Sequence, residues 1–161
     1  MKLTVICLAL LVLTANVVPA QQLKKLSLDD ASGISPKIEN DVRIKSEGTS
    51  SVKITTTWPT TVTLGEVAGP AIENAKLVYK AKVKTELDGI AFLEMWAHVG
   101  GKRYFSRGML ASVKGKTDWK TIETPFLFQK GQKPEKVTLN IVINGRGTVW
   151  IDDVTLSKEP L

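Results

Sequence analysis

The sequence predicts an all-β fold: a two-sheet antiparallel jelly-roll sandwich. Three observations predict it. After residue 20 the chain is rich in Val, Ile and Thr, which suit a pleated, half-buried surface. It is interrupted roughly every eight to twelve residues by Gly, Pro, Asp or Asn, the spacing of short strands joined by turns. Apolar and polar residues alternate over long stretches, and no stretch shows persuasive helical periodicity; residues 70–76 have room for one turn at most.

The N-terminal segment stands apart. MKLTVICLALLVLTANVVPA has a lysine at position 2, an apolar run from Leu3 to Leu13, and small residues at Val18 and Ala20. This is the pattern of a secretory signal peptide over residues 1–20, leaving residues 21–161 as a single domain. The expected location is secreted, periplasmic or extracellular, with no transmembrane segment after cleavage. The sole cysteine, Cys7, lies in that leader, so disulfides, thiolate chemistry and cysteine metal sites are excluded from the rest. The net charge is +6, but the basic residues are dispersed and form no long run, which argues against nucleic-acid binding.

The expected strands, in order, are residues 23–28, 42–46, 51–57, 61–67, 75–85, 90–99, 103–107, 119–126, 137–143 and 148–156. The turns between them fall at Glu47–Ser50, Trp58-Pro59, Glu86–Ile90 and Gly100-Gly101, among others. Period-two alternation assigns faces. Leu77, Tyr79, Ala81 and Val83 point inward, with Lys76, Lys80, Lys82 and Lys84 outward. Ala91, Leu93, Met95, Ala97 and Val99 face the core, as do Val137, Leu139, Ile141 and Ile143. Thr138, Asn140 and Val142 face away.

The chemistry concentrates on the non-core face of IAFLEMWAH, where Phe92, Glu94, Trp96 and His98 stand in a row. Large aromatics turned to water are costly unless covered or used. A hairpin at Gly100-Gly101 would set Arg103 opposite His98, Phe105 opposite Trp96 and Arg107 opposite Glu94. A tight loop at Glu86–Ile90 would bring Lys82 opposite Glu94 and Lys80 opposite Trp96. The expected ligand site is an aromatic platform of Trp96 and Phe105, rimmed by Glu94, His98, Lys80, Arg103 and Arg107, with Trp58 as a further loop aromatic. Such a surface suits a sugar ring, whose C–H groups stack on an aromatic face while its hydroxyls bond to polar neighbours. The alternative is that a loop covers these rings and Glu94 only pairs with a neighbouring base.

Three segments then carry a resemblance. LVYKAKVKT, the Gly115, Thr117, Asp118, Trp119 pattern, and the closing strand with Gly147, Val149, Trp150, Asp152, Asp153, Val154 and Leu156 resemble carbohydrate-binding modules of the family 4 and 9 type. The likeness spans residues 75–156. It implies a galactose-binding-like jelly roll and non-catalytic polysaccharide binding. It further implies a structural calcium near the terminal strands, held by Asp152 with Asp29 or Asp30; the alternative is a carboxylate accepting hydrogen bonds from a turn. No cofactor is otherwise required. Trp119 and Trp150 take fold roles. Besides a glycan, the other partner class left open is a protein of the cell envelope, met by a structural or interaction domain.

Catalysis is disfavoured on two counts. His98 is the only histidine. Asp152 and Asp153 are strand neighbours whose side chains should point to opposite faces, so by themselves they cannot flank a scissile glycosidic bond.

Overall fold

The computed structural model describes residues 20–28 and 38–161. The signal-peptide reading and the Asp29/Asp30 calcium option fall outside these residues. Eight strands follow in order: β1 Gln21–Leu26, β2 Ile38–Asp41, β3 Ser51–Thr56, β4 Thr60–Ala68, β5 Ala75–Val99, β6 Lys102–Arg107, β7 Val113–Phe128 and β8 Lys136–Glu159. One 3₁₀ turn, Met109–Ala111, precedes β7. Every pairing is antiparallel.

Two very long strands organise the molecule. β5 (25 residues) and β8 (24 residues) pair with each other along almost their whole length. β4, β3 and β1 line up in succession on the far side of β8, β2 flanks β3, and β7 and β6 line the far side of β5. This ribbon spans both layers of a jelly-roll sandwich. One layer contains β4, the first half of β8, the second half of β5, and β6. The other contains β2, β3, β1, the remaining halves of β8 and β5, and β7.

The sequence reading divided each long strand in two, and this is corrected. The stretches Asp88-Gly89 and Asn144-Gly145 carry turn residues but form no turn. Gly89 pairs with Gly145 across the ribbon. A Cβ on Gly89 would lie 2.2 Å from the Asn144 carbonyl oxygen, and one on Gly145 would lie 2.1 Å from that of Asp88. Glycine here permits two backbones to approach where the ribbon passes from one layer to the other. Residues 42–46 were likewise expected to be a strand and are not. The Asp41 carboxylate accepts the backbone N–H groups of Arg43 and Ile44, a local turn that ends β2.

The alternation itself survives. Leu77, Tyr79, Ala81, Val83, Leu87, Ala91, Leu93, Met95 and Ala97 all enter one core, so odd positions of β5 face inward on both sides of the glycine. In β8 the phase slips once. Ile151 and Val154 are both core residues, although three apart. Lys80 pairs with Thr155 and Lys82 with Asp152, which leaves one extra residue on β8; Asp153 takes a left-handed φ of 47°. This is a β-bulge. The β5–β6 hairpin follows expectation, with Gly100 and Gly101 at φ 56° and 73°. Both central residues of such a tight turn need positive φ.

Candidate functional site

The outward face of the β4–β8–β5–β6 layer gathers most of the expected site. Its side chains fall into cross-strand rows. Thr61, Val142 and Phe92 form the first; Thr63, Asn140, Glu94 and Arg107 the second; Glu66, Thr138, Trp96 and Phe105 the third; Lys136, His98 and Arg103 the fourth. The β5–β6 register is the expected one at all three positions.

Glu94 is the anchor. Its residue is only 4% exposed, unusual for a carboxylate on a non-core face. Its Oε1 accepts the Trp96 indole N–H at 2.7 Å and the Asn140 amide at 3.3 Å, and its Oε2 accepts the Arg107 Nε–H at 2.6 Å. Asn140 in turn accepts the Thr63 hydroxyl at 2.9 Å. Burial alone would raise the Glu94 carboxyl, but the bonds from Arg107, Trp96 and Asn140 outweigh it and hold it below its ordinary value. A second acid, Glu66, accepts Lys136 at 2.9 Å and Thr138 at 3.1 Å. Lys136, then Thr138 and more weakly His98 hold its carboxyl low.

The aromatic pair is present but not flat. The Trp96 and Phe105 centroids lie 5.2 Å apart with ring planes inclined by 48°. Trp96 is half-buried and Phe105 is 53% exposed. Guanidinium groups sit against both rings: Arg103 Cζ is 5.5 Å from the Trp96 centroid and Arg107 Cζ 4.8 Å from that of Phe105. Beside them opens a cleft of about 410 Å³, lined in part by Pro59, Thr61, Phe92, Arg107, Met109 and Val142.

Two expected members stand apart from this group. Lys80 lies on the other layer, bridged to Glu123 at 3.1 Å and near Glu159 at 4.0 Å, because the loop that would have returned it to Trp96 does not exist. Lys82 likewise pairs with Asp153. Trp58, 59% exposed in the β3–β4 connection, borders a separate cleft of about 330 Å³ lined by Ile38, Ile54 and Val62. Its neighbour Pro59 reaches the cleft beside Phe92. The residue that sequence reasoning missed is Asn140. Its signal was available: a lone amide in the apolar run VTLNIVI, on the outward phase and directly opposite Glu94.

The paired aspartates are resolved by the bulge. They are not split between opposite faces as alternation implied; the extra residue turns both away from the core, where they border one pocket with Lys25, Glu47 and Gly48. Asp152, 5% exposed, accepts the Ser46 and Glu47 backbone N–H groups on Oδ2 (2.8 and 3.1 Å) and that of Asp153 on Oδ1 (2.8 Å). That is the turn-binding alternative to a calcium ligand. Asp153 pairs with Lys25 at 3.1 Å and Lys82 at 3.6 Å. Among the described residues no cluster of three His, Cys, Asp or Glu side chains could hold a metal. Through the hydrogen bonds it would lose, Asp152→Ala should lower stability by about 2 kcal/mol. Urea unfolding of the variant checks this, and an unchanged midpoint would contradict it.

The two remaining tryptophans have different surroundings. Trp150 is 5% exposed and donates its ring N–H to Asp41 at 2.9 Å, which ties β8 to the loop after β2. Trp119 is half-buried and lies within a bulge of β7, beside Thr117, whose hydroxyl bonds that of the buried Thr85 at 3.0 Å, and Asp118, which bridges Lys84 at 2.9 Å.

No family model and no curated protein matches the sequence. Solved structures do match. The xylan-binding family 22 module of Paenibacillus barcinonensis Xyn10C superposes with a TM-score of 0.59 at 12% identity, covering 88% of this chain and 97% of that one. TmCBM61, solved in complex with β-1,4-galactotriose, gives 0.50 at 17% identity over 80% and 90% of the two chains. The enzymatically active domain of tailspike protein 4 of bacteriophage CBA120 gives 0.55 at 7% identity, covering 76% of this chain and 17% of the tailspike. Similarity at this level speaks for the fold and not for the family 4 and 9 subtype or for a ligand. The described residues thus form a jelly-roll β-sandwich whose fold is like that of these carbohydrate-binding modules.

Proposed function

We propose that this chain is a secreted, non-catalytic domain that binds polysaccharide across the Phe92, Glu94, Trp96 and His98 face. The observation that carries the reading is the Trp96–Phe105 pair on β5–β6, with Phe105 exposed, Trp96 half-buried, and the indole N–H held by Glu94. An indole held by its own N–H is preorganised, so a sugar need not pay for ordering it. Arg107, Arg103, Thr138 and His98 surround the rings with hydrogen-bonding groups. The cleft beside Phe92 extends the surface for further sugar units.

Two features support binding over hydrolysis. A glycosidase needs a carboxylic acid that keeps its proton near working pH. Both acids of this face, Glu94 and Glu66, are held low by bases and donors, so neither is such a proton donor. The modules that share the fold point the same way: the Paenibacillus module is described as xylan-binding and TmCBM61 was solved with galactotriose.

Isothermal titration against xylans, galactans, glucans and mannans tests the reading. At least one should bind, and Trp96→Ala should weaken it by about tenfold or more, the loss of one stacking contact. Binding untouched by Trp96→Ala would move the site elsewhere. If no glycan binds and the chain instead captures an envelope protein, the proposal fails.

A further inference from the structure

We infer that the polysaccharide this face recognises is acidic, and that Arg103 is the residue that reads the carboxylate of its uronic acid units; the inference rests on the binding reading above. It starts from which charges are already answered. On the outer face of the opposite layer, the lysines of β5 form a ladder of ion pairs: Lys76 with Glu159, Lys80 with Glu123, Lys82 with Asp153 and Lys84 with Asp118, at 2.7–3.6 Å. That face is basic in sequence and largely balanced in space. On the candidate face, Arg107 is matched by Glu94 and Lys136 by Glu66.

Arg103 is the exception. It is exposed, and among the described residues no carboxylate lies within ion-pair distance of it; its recorded contact is the Trp96 ring. A guanidinium resting on an aromatic ring keeps its in-plane N–H donors, and that planar fork matches a carboxylate with two parallel hydrogen bonds. It is therefore poised at the edge of the surface on which a sugar would stack. A carboxylate on that sugar, or on a branch from it, would meet a cation with no internal competitor.

The face is also polar along its length. Phe92, Val142, Pro59 and Met109 make one end apolar, whereas Arg103 leaves an unanswered cation at the other, where Lys136 is matched by Glu66. The carboxylate of a uronic acid would meet that cation and help fix which way the chain lies. The net charge of residues 21–161, +5 once Lys2 of the leader is left out of the +6 total, adds weak long-range attraction for the same polymer.

The experiment compares glucuronoxylan, polygalacturonate and alginate, each as the native polymer and after reduction of its carboxyl groups to primary alcohols. Affinity is measured at low ionic strength. At least one native polymer should bind about tenfold more tightly than its reduced form, the size of one charge-assisted interaction. In Arg103→Gln that ratio should fall to about one. Lys130→Gln, which removes the same charge from the turn after β7, should retain it. Equal binding of native and reduced polymers, or a ratio that survives Arg103→Gln, overturns the inference. Binding only to neutral polysaccharides overturns it and leaves the carbohydrate reading intact, whereas binding to no polysaccharide overturns both.

Discussion

Gly145→Ala should destabilise the protein by about 4 kcal/mol or more, enough to leave much of it unfolded. An alanine there is crowded, and it must also adopt a φ of 156°, which L side chains rarely take. The added Cβ would meet the Asp88 carbonyl oxygen at 2.1 Å and Gly89 Cα at 2.8 Å. Both are backbone atoms of the partner strand and cannot rotate aside. Moving them means separating β5 from β8 where the ribbon changes layer, and those two strands supply most of the core. Gly100→Ala is the open-space comparison. Its φ is the left-handed 56°, and no atom lies within 4 Å of its added Cβ. Its cost should be only the left-handed backbone penalty of about 1–2 kcal/mol. Urea unfolding of both variants compares a crowded glycine with an open one. Similar midpoints for the two would show that the close approach is not what requires glycine.

That glycine pair also explains what the sequence could and could not disclose. Alternation is a local property, so the core faces of β5 and β8 were readable residue by residue. The β5–β6 register was readable as well, because Gly100-Gly101 permits a tight turn and fixes every pair above it. Gly89 and Gly145 resemble Gly100 and Gly101 in composition. What distinguishes them is a partner about fifty-six positions away in the chain, and no local pattern contains that contact. The misplaced Lys80 follows from the same error, since a turn that does not form cannot bring it back. The bulge at Asp152-Asp153 is the second such case. Two adjacent aspartates offer no sign that one will take a left-handed conformation; that depends on the loop whose N–H groups Asp152 accepts. Glu94 was legible as a candidate site residue because a carboxylate set between two aromatics on an outward phase is more than solubility requires. Its depth was not legible, since burial comes from Asn140 on β8 and Arg107 on β6 together.

Glu94→Gln should abolish measurable glycan binding, a loss of about a hundredfold or more, and should lower stability by about 2 kcal/mol. The amide preserves size and shape but replaces two acceptor oxygens with one, and turns an N–H₂ toward the donors of Arg107 or of Trp96 and Asn140. Arg107 loses its carboxylate, and the indole of Trp96 loses the bond that fixes it. The stability loss stays modest because Arg107 is 45% exposed and water can take the place of its partner. The pH dependence makes this prediction specific. The folded Glu94 carboxyl is held below its free value of 4.5. A group of this kind contributes stability that is fully present above the unfolded pKa and is lost as pH falls through the folded one. Wild-type protein should therefore be more stable than Glu94→Gln at neutral pH, and the gap should close as the pH falls through the folded carboxyl's own value, below 4.5. Asp41, Glu66, Glu73, Asp118 and Asp153 are also held low, in both proteins alike, so the difference between the two curves isolates Glu94. Urea midpoints of both proteins at intervals between pH 3 and 7 provide that difference. Curves that remain parallel to the lowest pH would mean that the carboxylate charge is not what holds Trp96 and Arg107 in place. The proposed surface would then owe its shape to packing alone.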